Sequence, residues 1–395
     1  MLTLRKRALD LHYKNKGKIE VRSKIKLETG DDLSIAYTPG VAEPCKEISQ
    51  DVSKAYDYTS KSNMVAVVTD GSAVLGLGNI GPTASLPVME GKAVLFKELA
   101  GVDAVPICLN TQDSDEIIET VKRLEPSFGG VNLEDISSPR CIEIEERLKQ
   151  EVDLPIFHDD QHGTAIVVLA GLINALKLVE KELEGIKVVI NGAGSAGIAI
   201  AKLLLSVGVK EIIMCDLFGI LHPKVTEMNS IQAQMAEITN KSDLEGDLAT
   251  ALQGADALIG VSAPDVVSQE MVASMAADPV VFALANPIPE INPDQAKEAG
   301  AAIVGTGRSD YPNQINNVLA FPGIFRGALD VRATEINQQM KVAAAYAIAN
   351  LIPENKLKDD YIIPDSLDKS VVVGVADAVA KVAIESGVAK VKVDK

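Results

Sequence analysis

Cysteine is scarce in this sequence: four occur in 395 residues. They stand at Cys45, Cys108, Cys141 and Cys215 and form no CxxC or CxxH pair. This spacing excludes the usual zinc motifs and the dense framework of a disulfide-rich protein, so we expect reduced thiols and a cytoplasmic location. A composition with 47% hydrophobic and 24% charged residues also excludes a disordered or collagen-like chain.

Long apolar runs are missing as well. The first eighteen residues, MLTLRKRALDLHYKNKGK, are charged where a secretory leader needs an apolar segment. The most apolar stretch, residues 192–209, contains Lys202 and many small side chains, which favours a packed helix over a membrane span. The sequence therefore predicts neither secretion nor association with a membrane.

Charge is distributed unevenly along the chain. The formal net charge is −17, but residues 1–26 hold nine Lys and Arg against two acids, which leaves −24 for the remainder. One interpretation is a basic arm that docks on the acidic body of a second subunit, and the other is a solvated basic helix. Binding to nucleic acid is not expected, because the acidic body would repel phosphates.

Short apolar runs alternate with helix-like segments, the pattern of parallel βαβ units. A chain of this length is too long for one core. We therefore predict an α/β protein with two domains: an N-terminal α/β domain over 1–160 and a Rossmann-type, doubly wound parallel-sheet domain with C-terminal helices over 161–395. The predicted strands are 64–68, 102–108, 130–133, 154–157, 187–190, 211–215, 257–261, 280–285 and 302–304, and the main predicted helices are 82–99, 114–124, 139–150, 163–179 and 195–207.

A glycine-rich turn lies between a predicted strand and a predicted helix. It has the GxGxxG spacing and consists of Gly192, Ala193, Gly194, Ser195, Ala196 and Gly197. Such glycines allow a tight turn and close approach of a pyrophosphate, which the helix N-terminus attracts. The next predicted strand ends in Asp216, nineteen positions later, where an acid that accepts ribose hydroxyls belongs. We predict a dinucleotide site, the alternative being a tight turn that binds no phosphate.

The residues after Asp216 favour NAD over NADP. Leu217 and Phe218 offer no positive charge to a 2′-phosphate. His222 and Lys224 are near enough in sequence to reach one, so NADP stays open.

Two acidic pairs follow predicted strands. Glu134 and Asp135 come after one, and Asp159 and Asp160 after the next. The carboxyl ends of parallel strands face the ligand crevice, and hard oxygen ligands with open positions suit Mg²⁺ or Mn²⁺. The alternative for each pair is a helix cap or a solvated loop end.

Two further side chains are candidates for proton transfer. Lys92 lies among small, apolar residues, where desolvation would lower its pKa enough for it to act as a base. Tyr37 precedes a Pro-Gly turn. Taken alone, Lys92 also fits a surface lysine and Tyr37 a packed aromatic.

Together these segments resemble the malic enzyme family in its small bacterial form. The matching runs cover most of residues 18–330 and are SIAYTPGVAEPC, VTDGSAVLGLGNIGP, PVMEGKAVLFKELAGVDAVPICL, NLEDISSP, FHDDQHGTA, INGAGSAGIAIA, ALANPIPE and NQINNVLAFPGIFRGALD. The resemblance implies oxidation of L-malate and its decarboxylation to pyruvate and CO₂, with NAD(P) and a divalent cation. It also implies a homodimer.

The resemblance assigns a role to each candidate. Tyr37 matches the general acid that protonates the enol carbon, and Lys92 matches the base that takes the malate hydroxyl proton. Asp159 matches an acid that keeps Lys92 in its proper protonation state. The matching metal ligands are Glu134, Asp135 and Asp160, and the matching contacts to substrate and nicotinamide are Asn286 and Asn317.

One element of the family pattern is absent. Larger malic enzymes have an arginine after the VTDG run that holds a substrate carboxylate, whereas this chain has Ser72, Ala73 and Val74 there. Arg308 is our candidate for that role. The alternative is a structural arginine that pairs with Asp310.

The sequence thus favours an NAD-dependent, decarboxylating malate dehydrogenase that acts on a small molecule. A soluble oxaloacetate decarboxylase on the same scaffold is the main alternative, since it would need the metal, Lys92 and Tyr37 but no redox turnover. The complete dinucleotide turn argues against it. A non-catalytic binding protein is disfavoured because every matched catalytic residue is present.

Overall fold

The computed structural model describes residues 3–74 and 76–392. These residues form strands in two separate sheets. The strands are β1 (Met64–Thr69), β2 (Asp103–Cys108), β3 (Gly130–Leu133), β4 (Ile156–His158), β5 (Lys187–Asn191), β6 (Glu211–Asp216), β7 (Gly219–Ile220), β8 (Ala257–Gly260), β9 (Val280–Ala283) and β10 (Ile303–Thr306).

Helices precede, separate and follow these strands. They are α1 (Leu4–Asn15), α2 (Gly30–Ala36), α3 (Ala42–Gln50), α4 (Ala55–Tyr58), α5 (Gly81–Ala100), α6 (Ser114–Leu124), α7 (Arg140–Glu151), α8 (Asp159–Leu178), α9 (Ser195–Ser206), α10 (Ser230–Ile238), α11 (Leu248–Leu252), α12 (Gln269–Ala273), α13 (Pro293–Glu298), α14 (Phe321–Asp330), α15 (Gln338–Asn350) and α16 (Lys369–Glu385).

The first sheet is parallel throughout, in the order β2-β1-β3-β4. Its central strands β1 and β3 are almost completely buried, as expected of strands covered on both faces by crossover helices. The connections β1-α5-β2 and β3-α7-β4 are βαβ units. All four strands therefore end at one edge, where the polar residues that follow them meet.

The second sheet has the order β10-β9-β8-β5-β6-β7. Its strands are parallel except β7, which pairs with β6 in the antiparallel sense. The chain leaves β5 towards β6 on one side and returns to β8 on the other, so the strand order reverses between β5 and β8. Such a reversal opens a crevice at the carboxyl ends of the strands, where doubly wound sheets bind ligands.

Helix α8 connects the two sheets and is buried along most of its length. By length and composition it could span a membrane, but 78% of its most apolar window lies inside the fold. Its apolar character therefore reflects a core position. Helix α9, within the stretch 192–209, is likewise a packed helix, as predicted.

The predicted α/β class and parallel sheets are confirmed. Every predicted strand is present with small shifts at its ends, and only the two-residue β7 was not predicted. Helix α8 begins at Asp159, four residues earlier than predicted, so Asp159 and Asp160 form its first turn. Carboxylates are stabilised there by the unpaired N–H groups and the dipole of the helix.

Candidate active site

A buried lysine lies between two carboxylates where the first sheet meets α8. Lys92 is on α5, and its Nζ is 2.8 Å from Glu134 Oε1 and 2.5 Å from Asp159 Oδ2. The same ammonium stands 4.2 Å from the centre of the Phe321 ring, at the start of α14. Lys92 is thus held by two negative charges and one aromatic face.

The sequence predicts a lowered pKa for Lys92, whereas in the structure this pKa is raised. Burial by itself would lower this pKa, but the nearby charges of Asp159, Glu134 and Asp160 outweigh burial and raise it. The sequence prediction counted desolvation alone and was wrong in direction. The two carboxylates in contact with Lys92 follow it by 42 and 67 positions, beyond the reach of a local pattern.

Glu134, Asp135 and Asp160 form a cluster of carboxylates beside Lys92. Each offers an oxygen that lies within 4.8 Å of the others. The backbone N–H of Asp135 donates to Asp160 Oδ2 at 2.8 Å, and Asn132 Nδ2 donates to Glu134 Oε2 at 2.8 Å. The structure therefore brings together the three predicted metal ligands.

The electrostatics of this cluster are compatible with a bound cation. Burial, together with the charges of Asp160 and Glu134, raises the pKa of Asp135 to about 9. Burial first, and then the charge of Asp159, raises the pKa of Asp160 to about 6 despite the opposing charge of Lys92. Asp135 Oδ2 is buried without a hydrogen-bond partner among the described residues. Three hard oxygen donors, one of them unsatisfied, fit Mg²⁺ or Mn²⁺.

The glycine-rich turn has the geometry its spacing predicts. Gly192 has φ 117°, and a Cβ there would come within 2.5 Å of the Val261 carbonyl oxygen. A Cβ on Gly197 would come within 1.8 Å of the Gly192 carbonyl oxygen. Larger side chains are excluded at both positions, and the turn leads directly into α9 at Ser195. A pyrophosphate could approach this helix N-terminus closely.

Asp216 lies at the end of β6 beside the turn. Its Oδ2 accepts hydrogen bonds from the Ala193 backbone N–H at 3.2 Å and from Gln232 Nε2 at 2.8 Å. Gln232 was not predicted, because it lies on α10, sixteen residues further along the chain. Leu217, the next residue after Asp216, is 98% exposed.

His222 and Lys224, the two residues near enough in sequence to bind the 2′-phosphate of NADP, are both bound to acidic side chains. His222 Nε2 lies 2.8 Å from Asp243 Oδ1, and Lys224 Nζ donates to Glu245. Neither is free to receive a 2′-phosphate without giving up its partner.

A cleft of about 870 Å³ connects the carboxylate cluster with the glycine-rich turn. It is lined by residues that follow the ends of β1, β3, β8, β9 and β10. Its walls include Asp135, Asp160, Ser195, Asn286 and Asn317. Two of the predicted metal ligands, part of the nucleotide turn and both predicted asparagines therefore face one shared space, large enough for a dinucleotide and a small acid.

The two predicted asparagines are held in different ways. Asn317 Nδ2 donates to Asp159 Oδ2 at 2.7 Å. Asn286 Nδ2 donates to the Leu284 carbonyl oxygen at 3.3 Å, and Asn286 precedes a cis proline.

Two predicted site residues stand apart from the cluster. Tyr37 lies at the end of α2, is 67% exposed and does not line the cleft. Arg308 forms a bidentate pair with Asp310 at 2.6 and 2.9 Å, which is the structural alternative that the sequence left open. Its Nη1 also donates to the Pro287 carbonyl oxygen at 3.2 Å.

The sequence analysis did not predict the role of Arg140, which binds residues in and next to the VTDG run. Arg140 Nη2 donates to Asp70 Oδ2 at 2.7 Å and to Ser72 Oγ at 3.0 Å. Asp70 Oδ1 in turn accepts the backbone N–H of Ser72 at 2.9 Å. These bonds fix the turn after β1 at the rim of the cleft.

Comparison with known proteins identifies relatives over almost the whole chain. Residues 15–149 match the model of the malic enzyme N-terminal domain, and residues 161–384 match the model of the malic enzyme NAD-binding domain. The bifunctional malic/malolactic enzyme of Bacillus subtilis is 62% identical over 394 residues, which cover 100% of this chain and 96% of that protein. The NAD-dependent malic enzyme of Geobacillus stearothermophilus is 59% identical over 374 residues, covering 95% of this chain and 78% of that protein.

A solved structure agrees with these matches. The malic enzyme of Pyrococcus horikoshii superimposes with a TM-score of 0.96 at 51% identity, covering 99% of this chain and 93% of that one. Relatives with about 50% sequence identity also include enzymes named NADP-dependent, among them that of Escherichia coli.

Proposed function

Because this chain belongs to the malic enzyme family, we propose that it converts L-malate and NAD to pyruvate, CO₂ and NADH with the help of a divalent cation. The observation that supports this most directly is the shared cleft. Two carboxylates that fit a divalent cation, Asp135 and Asp160, line one space with Ser195 of the dinucleotide turn, and the buried Lys92 contacts Glu134 of the same carboxylate cluster. Oxidation of a hydroxy acid followed by decarboxylation needs these three parts together.

Glu134, Asp135 and Asp160 would hold Mg²⁺ or Mn²⁺. The bound cation would polarise the C2 oxygen of the substrate, which is what a β-keto acid needs to lose CO₂. The protein contributes the placement of the three ligands: Asp135 and Asp160 are tied by a backbone hydrogen bond, and Asn132 orients Glu134.

Lys92 is our candidate for the group that receives the malate hydroxyl proton. Its contacts with Glu134 and Asp159 hold it as an ammonium, so it must first pass a proton to a neighbour. Asp159 is placed to receive that proton, with its Oδ2 2.5 Å from Lys92 Nζ. Asn317 donates to the same oxygen and fixes its position.

Tyr37 is our candidate for the acid that protonates C3, and we propose that a second subunit brings it to a cleft. The apolar side chains around it, Ile25, Leu27, Leu33 and Ile35, are each at least half exposed in a single chain. The basic segment 1–26 also has an acidic body to dock on. A homodimer would cover these side chains and deliver Tyr37.

The nucleotide would bind at the turn 192–197, with its adenosine ribose hydroxyls on Asp216. The exposed Leu217 and the acid-bound His222 and Lys224 support NAD. The oxaloacetate decarboxylase alternative is not favoured, since it leaves this turn without a use. We expect the enzyme to act in the cytoplasm.

One assay tests the proposal. NADH and pyruvate should appear in equal amounts from L-malate, with NAD more effective than NADP. Release of pyruvate from oxaloacetate without any NADH from malate would contradict the proposed function and support the lyase.

A further inference from the structure

A second cavity, here called the junction cavity, lies between α7, α8, α9 and α15. It has a volume of about 190 Å³ and shares no lining residue with the cleft. On α8, Asp160 faces the cleft, while Gln161 and Ala165 face the junction cavity. On α9, Ser195 faces the cleft, while Lys202 faces the junction cavity. The two spaces thus lie on different sides of α8, which carries the proposed metal ligand Asp160, and of α9, which begins in the nucleotide turn.

The junction cavity contains a buried lysine that shares its acidic neighbour with two other side chains. Lys341 on α15 is 6% exposed and lines the cavity. It forms no salt bridge within residues 3–74 and 76–392. Glu145, the carboxylate whose charge acts on Lys341, is already bound by Lys149 at 2.6 Å and by His162 at 2.7 Å. A buried ammonium is costly unless an anion meets it.

The charges that face this cavity add up to an excess of one positive charge. Helix α7 contributes Glu145, Glu146 and Lys149, α9 contributes Lys202, and α15 contributes Lys341. His162, on α8, lines the cavity as well, and its Nε2 lies 2.7 Å from Glu145 Oε2. With Lys341 protonated, three lysines therefore oppose two glutamates.

The cavity also has a free hydrogen-bond donor and an apolar wall. Gln161 is 3% exposed, and its Nε2 has no partner in the described chain. Ile142, Ile198 and Leu203 line the cavity beside it. A space of this volume accommodates a small organic molecule.

We propose that the junction cavity binds a small carboxylate anion with a short aliphatic chain. Its carboxylate would lie between Lys341 Nζ and Gln161 Nε2, and its chain would pack on Ile142, Ile198 and Leu203. Inorganic phosphate would leave the apolar wall uncovered. This site is separate from the substrate cleft and does not depend on the proposed reaction.

Proton uptake should accompany binding. Burial, and then the positive charge of Lys149, lowers the pKa of Lys341 to about 7 against the opposing effect of Glu145. An anion beside Lys341 favours the charged form and raises that pKa. Above pH 7 the lysine must gain a proton before the anion binds, so the Kd should rise about tenfold per pH unit.

Butyrate is a suitable probe, and butyramide is its uncharged counterpart. Calorimetry on the full chain between pH 6 and 9 should show that butyrate binds with proton uptake and that butyramide does not bind. Lys341→Met should weaken butyrate binding at least tenfold. Lys381→Met should leave it unchanged, because Lys381 is exposed on α16 and does not line the cavity.

The outcomes show whether butyrate binds in the junction cavity or at another place, such as the cleft. Butyrate binding that is equal in wild type and Lys341→Met would place the probe elsewhere and overturn the proposal, as would no binding at all. Lysine Cε resonances of the wild-type chain give a readout that needs no variant. One lysine should titrate near pH 7 and move to higher pH with butyrate, and no such movement would also overturn the proposal.

Discussion

Asn317 Nδ2 donates a 2.7 Å hydrogen bond to Asp159 Oδ2. The two residues are 158 positions apart: Asp159 opens α8 after the first sheet, and Asn317 follows the last strand of the second. The same oxygen lies 2.5 Å from Lys92 Nζ. Asp159 Oδ2 therefore contacts both Lys92, the proposed proton acceptor, and Asn317, in the wall of the cleft. We expect catalysis to depend on the position of this oxygen.

Gly163 tests that position. A Cβ at residue 163 would lie 1.9 Å from Asp159 Oδ1 and 3.1 Å from Asn317 Cβ. Gly163→Ala should therefore displace the Asp159 carboxylate from Lys92 and lower kcat about 10²-fold, the order expected for a misplacement near 1 Å.

Gly374→Ala is the matched control, since it also lies inside a helix and its added Cβ would meet nothing closer than 3.7 Å. It should stabilise the protein by about 0.5–1 kcal/mol, as alanine does in helices, and keep full activity. Thermal unfolding and kcat measured on both variants check this. Full activity in Gly163→Ala would show that Asp159 need not be held where it is.

The carboxylate cluster should bind Mn²⁺ or Mg²⁺, and chelation should abolish activity until either ion is restored. Asp160→Asn removes a charged ligand and should weaken Mn²⁺ binding at least about tenfold. Electron paramagnetic resonance of bound Mn²⁺ measures this without turnover. Asp278→Asn, at an exposed position, is the control. Unchanged Mn²⁺ affinity in Asp160→Asn would remove Asp160 from the ligand set.

The sequence predicts the parts of the site that depend on local pattern and strand direction. Glu134 and Asp160 meet because both follow parallel strands that end at one edge. Side-chain partners from distant elements are not predictable in this way. The raised pKa of Lys92 depends on carboxylates brought in by two other elements, and the Asp216 contact with Gln232 depends on how α10 packs.

The exposure of Tyr37 could not be predicted from its own surroundings in the sequence. An aromatic residue beside apolar neighbours usually indicates packing, yet the segment around Tyr37 is exposed in the single chain. In the proposed homodimer a second chain would bury this segment, and the uneven distribution of charge is the sequence feature that points to such a partner.

Coenzyme choice should depend on Asp216. Asp216→Ser removes a charged acceptor for the ribose hydroxyls, a loss of about 1.5–3 kcal/mol, so kcat/KM with NAD should fall by roughly 10–100-fold. The value with NADP should fall less or rise, because repulsion of the 2′-phosphate is relieved. Leu217→Ala, next to it and exposed, should change neither value. An NAD/NADP ratio unaffected by Asp216→Ser would contradict the assignment.

Substitutions of Lys92 and Tyr37 should impair different steps of the reaction. Lys92→Ala should slow malate oxidation by roughly 10²–10⁴-fold, as expected for loss of a general base. Tyr37→Phe should leave hydride transfer closer to intact and slow the protonation of C3, so that enolpyruvate accumulates. Supplying enolpyruvate directly isolates the second step. Wild-type tautomerisation by Tyr37→Phe would end the assignment of Tyr37 as the acid.

Mixing these two impaired variants, with pyruvate formation from malate as the measured activity, tests whether Tyr37 acts across a dimer. In a hybrid of one Tyr37→Phe and one Lys92→Ala subunit, exchange of Tyr37 between subunits would produce one cleft with both residues intact. If each subunit used its own Tyr37, neither cleft would be complete. Random reassociation makes half of the dimers hybrids, with one working cleft in two, so activity should return to about a quarter of the wild-type level, since independent sites contribute additively. The variants mixed without dissociation are the control. Sedimentation under the same conditions must show dimers, and reassociated hybrids that stay inactive would place Tyr37 in the cleft of its own chain.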